Sequence, residues 1–168
     1  MIRKFAAAAA ACLVCSTGHC VDGVAVEAGG GDDRTKVLRV QITDHWRKWR
    51  PPDDEWRFAG YWELSAGVWD NPEETAADFG ITPVLRIQHG PAYFEAAIGL
   101  HLVSTQVSAS RKFSTSFQFG DHLGFGVRMG PDGRYDVGVR IQHLSNGGLR
   151  DPNPGINFVL MRLQYSLE

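Results

Sequence analysis

Tyr135-Asp136-Val137-Gly138-Val139-Arg140-Ile141-Gln142-His143-Leu144-Ser145-Asn146 alternates in polarity with a period of two, and that period decides the fold. Successive side chains of a β-strand point to opposite faces. One face here carries Tyr135, Val137, Val139 and Ile141, and the other carries Asp136, Gly138, Arg140 and Gln142. The same pattern recurs along the chain. Leu38, Val40 and Ile42 oppose Arg39, Gln41 and Thr43; Phe58, Trp62, Leu64 and Val68 oppose Arg57, Tyr61, Glu63 and Ser65. Ile81, Leu85 and Ile87 oppose Thr82, Arg86 and Gln88, while Val159, Met161, Leu163, Tyr165 and Leu167 oppose Arg162, Gln164 and Ser166. No segment longer than a few residues shows helical periodicity.

Candidate strands fall at roughly 22–29, 35–49, 55–69, 80–88, 92–105, 113–129, 134–146 and 156–167, which makes eight. Turn-forming clusters separate them, among them Gly30-Gly31-Asp32-Asp33, Pro51-Pro52-Asp53-Asp54, Gly130-Pro131-Asp132-Gly133 and Asp151-Pro152-Asn153-Pro154-Gly155. A chain of 168 residues with no change of composition and no linker forms one domain. Its 19 Gly, 9 Phe, 5 Trp and 4 Tyr suit an all-β chain with tight turns. A net charge of −2 argues against a nucleic-acid partner.

The N-terminal segment stands apart. Met1-Ile2-Arg3-Lys4 is a basic start, Phe5 to Val14 is a short apolar run, and Cys15, Ser16, Thr17 and Gly18 are small. That order predicts a secretory signal peptide over residues 1–20, cleaved between Gly18 and Ala25, with 21–168 forming the barrel. Cys12, Cys15 and Cys20 would leave with it, so cysteine nucleophiles and zinc–cysteine sites are not expected in the mature chain. No lipoprotein cleavage context surrounds Cys15 or Cys20, so no lipid anchor is expected.

Alternation fits two architectures. A soluble periplasmic barrel places the apolar face inside, around an apolar ligand. A membrane barrel places it outside, against lipid. Three features favour the second. The polar face carries both signs, with Arg39, Arg86, Arg128, Arg140 and Arg162 against Glu27, Glu63, Glu95 and Asp136, as an internal ion-pair network requires. The same face holds Gly67, Gly99, Gly124, Gly126 and Gly138, which suits a crowded lumen. Trp46, Trp49, Trp56, Trp69, Tyr93 and Tyr165 gather near strand ends, where interface girdles form. The expectation is an all-β, eight-stranded antiparallel transmembrane β-barrel with a polar interior filled by side chains.

Common enzyme signatures are absent: there is no G-x-S-x-G, G-x-x-x-x-G-K or H-E-x-x-H. The histidines show no zinc-ligand spacing, and no metal or cofactor is expected. His45, His101 and His122 fall on polar faces as lumen hydrogen-bonders. His143 falls instead on the apolar face, with Ser145 two residues further along the same face. One reading is a strand end that turns polar as it leaves the membrane. The other is a Ser–His nucleophile pair, in which the imidazole takes the hydroxyl proton during attack on an acyl carbonyl. Asn157 shares the apolar face of the final strand, and a hairpin around 147–155 would bring it to His143 and Ser145. Three polar groups facing hydrocarbon are costly unless they serve each other. Asn157 would then hold the imidazole in one tautomer; Asp121, on the outer face of the sixth strand, is the next candidate for that role.

His143-Leu144-Ser145-Asn146-Gly147-Gly148-Leu149 followed by Asp151-Pro152-Asn153-Pro154-Gly155-Ile156-Asn157 resembles the H-x-S-N block and P-N-x-G segment of the outer-membrane lipid A 3-O-deacylases. Phe117-Gln118-Phe119-Gly120-Asp121-His122-Leu123-Gly124-Phe125-Gly126 is similar to that family's glycine-aromatic block. The resemblance implies a cofactor-independent serine esterase in the outer membrane that removes the 3-linked acyl chain of lipid A, the lipid anchor of lipopolysaccharide. Ser145 would be the nucleophile and His143 the base. Asn146, with backbone N–H groups near Gly147 and Gly148, would supply oxyanion contacts. The family pattern has Glu where Asn157 stands, so a catalytically weak or inactive barrel with a structural or lipid-binding role is the alternative. The oligomeric state stays open, a homodimer included.

Overall fold

The computed structural model describes residues 21–46, 55–104, 107–108, 111–130 and 132–167. The expected signal peptide and its cysteines lie outside the described residues, as do Trp49 and the Pro51–Asp54 turn. In chain order the strands are β1 (Gly23–Gly31), β2 (Lys36–His45), β3 (Arg57–Asp70), β4 (Thr75–His89), β5 (Ala92–Val103), β6 (Val107–Ser108), β7 (Arg111–Lys112), β8 (Phe117–Met129), β9 (Tyr135–Ser145) and β10 (Ile156–Ser166). All except β6 and β7 join one closed antiparallel barrel, in which each strand pairs with its sequence neighbour and β1 closes onto β10. The ribbon of β6 and β7 sits in the connection between β5 and β8.

The alternation is inverted, as a membrane barrel requires. Leu38, Leu64, Leu85, Ile98, Phe125, Ile141 and Met161 are exposed on the outside, whereas Glu27, Arg39, Glu63, Arg86, Glu95, Asp136, Arg140 and Arg162 are buried within. Charges left facing lipid cost roughly 2–4 kcal/mol near the midplane, so this sorting fixes the register of every strand. Inside, Arg140 reaches Glu95 at 2.7 Å, Glu63 at 3.0 Å and Glu27 at 3.2 Å. Arg86 pairs with Asp136 at 2.6 Å and Glu95 at 2.9 Å, and Arg162 meets Glu63 at 3.4 Å. Asp78 adds a carboxylate to this network, 2.7 Å from Arg39 and 2.9 Å from His101. It lies in the first part of β4, which begins five residues before the expected start at 80.

Two aromatics expected in an interface girdle point inward instead. Trp69 and Tyr93 are both buried, because they share strand parity with Glu63 and Glu95 respectively. Trp69 donates its indole N–H to Asp78 Oδ2 at 3.2 Å and packs against Phe158, while Tyr93 lies over the Arg86 guanidinium. Trp46 and Trp56 are exposed, as a girdle would have them. Trp69 belongs to an apolar plug with Val37, Val103, Phe113, Leu144, Ile156 and Phe158. That plug lies at the end of the barrel where β1 passes into β2 and β9 into β10. Leu144 and Ile156 thus anchor the adjoining ends of β9 and β10 from within.

Candidate functional site

On the outside, directly over that plug, the apolar belt is interrupted. Leu123, Ile141 and Val159 lie level with one another on β8, β9 and β10. One step further toward the strand ends the row reads Asp121, His143 and Asn157, with Asp121 paired to His143 on one side and Asn157 on the other. Ser145 follows on β9, opposite Phe119. His143 and Ser145 are half-buried, and Asn157 and Asp121 are exposed. The hairpin thus brings together the three residues that the sequence pattern placed on one face.

His143 Nδ1 lies 2.8 Å from Asn157 Oδ1. A side-chain carbonyl only accepts, so Nδ1 is the protonated nitrogen and the lone pair is on Nε2. The hydrogen bond runs to Asn157, while Asp121 faces His143 across the β8–β9 pair on the other side. The Ser145 hydroxyl accepts a 3.4 Å hydrogen bond from Gly147 N–H. Residues i and i+2 on a strand point to the same side, so Ser145 and His143 share this face, with Ser145 Oγ bonded to Gly147 and the imidazole to Asn157.

The loop after Ser145 is built around Asn146, which is buried despite following an exposed face. Its amide donates to Ser114 Oγ at 2.7 Å and to the Arg150 carbonyl at 2.6 Å, and its Oδ1 accepts from Gly148 N–H at 2.9 Å. Its own N–H donates to Asn153 Oδ1 at 3.0 Å. Of the groups expected to face an oxyanion, Asn146 and Gly148 therefore spend their donors inside the loop. Gly147 N–H is the one directed at Ser145.

Three further residues shape the site. Gly155 is buried at the end of the loop with φ +61, and a Cβ there would come within 2.5 Å of His143 Cε1 and 3.0 Å of Nε2. Only glycine both adopts that backbone and leaves room for the ring. Asp32, in the Asp32–Arg34 turn between β1 and β2, accepts 3.0 Å hydrogen bonds from both the Asn157 backbone N–H and Asn157 Nδ2. Arg111 lies 3.4 Å from Asp32 and 2.7 Å from Asp33, and donates to the Gly155 carbonyl at 2.8 Å. A groove of about 680 Å³ runs beside Asn157, lined by Gly30, Asp32, Arg34, Lys36, Ile141 and Val159. Among the described residues, no three His, Cys, Asp or Glu side chains are grouped to hold a metal ion. Gly155 was visible in sequence only as part of a turn. Asp32 and Arg111 gave no signal, since barrel closure and the long β5–β8 connection bring them to the site.

Residues 36–166 match the family model described as lipid A 3-O-deacylase (PagL). The chain is 30% identical to the lipid A deacylase PagL of Bordetella bronchiseptica, across 94% of this chain and 90% of that protein. It is 29% identical to the lipid A deacylase PagL of Pseudomonas aeruginosa, across 79% of each. The crystal structure of the outer membrane enzyme PagL superposes with a TM-score of 0.75 at 25% identity, covering 85% of this chain and 98% of that one.

Proposed function

The chain belongs to the lipid A 3-O-deacylase family, and from that premise we propose that it is a serine esterase acting on lipid A in the outer membrane through Ser145, His143 and Asn157. The observation that carries this reading is the 2.8 Å contact of His143 Nδ1 with Asn157 Oδ1 on the lipid-facing surface, with Ser145 beside it. Fixing the proton on Nδ1 leaves Nε2 free to act as a base. Ser145 Oγ attacks the carbonyl carbon of the 3-linked acyl ester as Nε2 takes the hydroxyl proton. Gly147 N–H, which bonds Ser145 Oγ, is the donor proposed for the oxygen that becomes negative, and one such donor is worth about 2.7–4 kcal/mol where it has been removed in a serine protease. Nε2–H then protonates the departing sugar oxygen. A water molecule, deprotonated by Nε2, then attacks the acyl-serine carbonyl, and Nε2–H returns that proton to Ser145 Oγ as the fatty acid leaves.

The depth of the site suits the substrate. His143 and Ser145 interrupt the outward apolar face near the ends of β8–β10, where an ester near a lipid headgroup would sit, and the groove beside Asn157 offers Arg34 and Lys36 to anionic groups. A second reading, a lipid-binding barrel of low or no activity, is favoured by the neutral amide at 157. Fatty-acid release by the purified folded barrel in lipid A micelles separates the two. Wild-type protein should release it, and Ser145→Ala and His143→Ala should not. Undiminished release by folded Ser145→Ala would remove Ser145 as the nucleophile.

A further inference from the structure

We infer that Asp32 is a positioning residue of this site, supplying from the β1–β2 turn the negative charge that Asn157 itself lacks. The inference rests on the roles proposed above for Ser145 and His143. A carboxylate accepts hydrogen bonds and donates none, so the 3.0 Å contact with Asp32 Oδ2 must involve the amide nitrogen of Asn157. That fixes which way the amide faces: Nδ2 toward Asp32 and Oδ1 toward His143. The same oxygen also accepts the Asn157 backbone N–H at 3.0 Å, which holds the residue's main chain against the turn. The order of donors is therefore set along the whole chain of contacts, from Asp32 through Asn157 to Nδ1–H and finally to the free lone pair on Nε2. When His143 takes the serine proton, the nearest carboxylate in this line is Asp32, acting through a polarised amide.

The turn is built to hold it there. A Cβ at Gly31 would collide with the Asn157 carbonyl and the Phe158 ring, so glycine lets the end of β1 come close to β10. Asp33 and Arg34 both have positive φ, 56° and 60°, so the chain reverses directly after Asp32. Arg111 bridges Asp32, Asp33 and the Gly155 carbonyl, tying the turn to the loop that covers the imidazole.

A charge-relocation cycle on the purified, folded barrel tests this. Asp32→Asn should lower kcat roughly tenfold, while KM should stay the same or fall, since the charge removed acts on the imidazolium and also lines the groove beside Arg34 and Lys36. Asn157→Glu alone should gain little, because two carboxylates would crowd the same spot. The double variant Asp32→Asn/Asn157→Glu should recover the lost kcat, with the charge now one residue closer to the ring. Full activity in Asp32→Asn, or a loss that Asn157→Glu does not restore, would overturn the inference while leaving Ser145 and His143 in place. An active Ser145→Ala would instead sink the reading beneath it. The ¹⁵N shifts of His143 in the wild-type barrel give a check that needs no variant to fold: the Nδ1–H tautomer is expected, and the Nε2–H tautomer would contradict the arrangement.

Discussion

The two nitrogens of His143 are made unequal by a single acceptor, Asn157 Oδ1. A neutral amide orients a ring as well as a carboxylate does, but supplies a dipole in place of a charge. Asn157 carries less desolvation cost on a lipid-facing surface than a carboxylate would, and hands the charge to a turn where Arg111 partners it. Asn157→Leu should therefore reduce kcat by roughly ten- to a hundredfold, through loss of the tautomer and orientation together. The check is kcat against KM for fatty-acid release by barrels shown to be folded by heat-modifiable migration in gels. An unchanged kcat would mean that Asn157 does not orient the ring, and Asp121, its counterpart across the β8–β9 pair, would be the residue to test next.

At the level of elements, the site is a hairpin whose two ends are pinned from inside. Leu144 and Ile156 pack in the apolar plug while His143, Ser145 and Asn157 face out, so rigidity below supports geometry above. The loop between them is closed over the ring by Gly155. Gly155→Ala should cost activity about tenfold or more with the barrel intact, since a methyl group at φ +61 is strained and presses on the imidazole. Turnover measured beside the mobility shift separates that local effect from misfolding. The period of two made the hairpin readable in the sequence, because it places His143, Ser145 and Asn157 on one face whatever the loop does. It did not reveal Asp32, which lies 125 residues before Asn157 and meets it only because β1 closes the barrel onto β10. The inward turn of Trp69 and Tyr93 was implicit in their parity with Glu63 and Glu95. Their aromatic character near strand ends pointed the other way, and burial beside Asp78 and Arg86 decided it.

Across the whole molecule, the middle of the interior is a network of ion pairs, bounded at one end by the apolar plug. Arg140 joins Glu27, Glu63 and Glu95, drawn from three different strands, so it ties one wall of the barrel to the other. Arg140→Met should destabilise the barrel by roughly 3–5 kcal/mol, since it leaves buried carboxylates short of a partner. The midpoint of urea unfolding in detergent is the check, and a midpoint equal to wild type would show the network to be redundant at Arg140. Among the described residues, this bracing holds the charges of the mid-strand network inward, and the row at His143 interrupts the outward apolar face on β8, β9 and β10. That interruption is the proposed catalytic site. Mass spectrometry of lipid A from cells expressing the wild-type protein or folded Ser145→Ala tests it most directly. The wild type should remove the acyl chain esterified at position 3 and no other, and Ser145→Ala should leave lipid A intact. Unaltered lipid A with the wild type, or the same loss with Ser145→Ala, would contradict it.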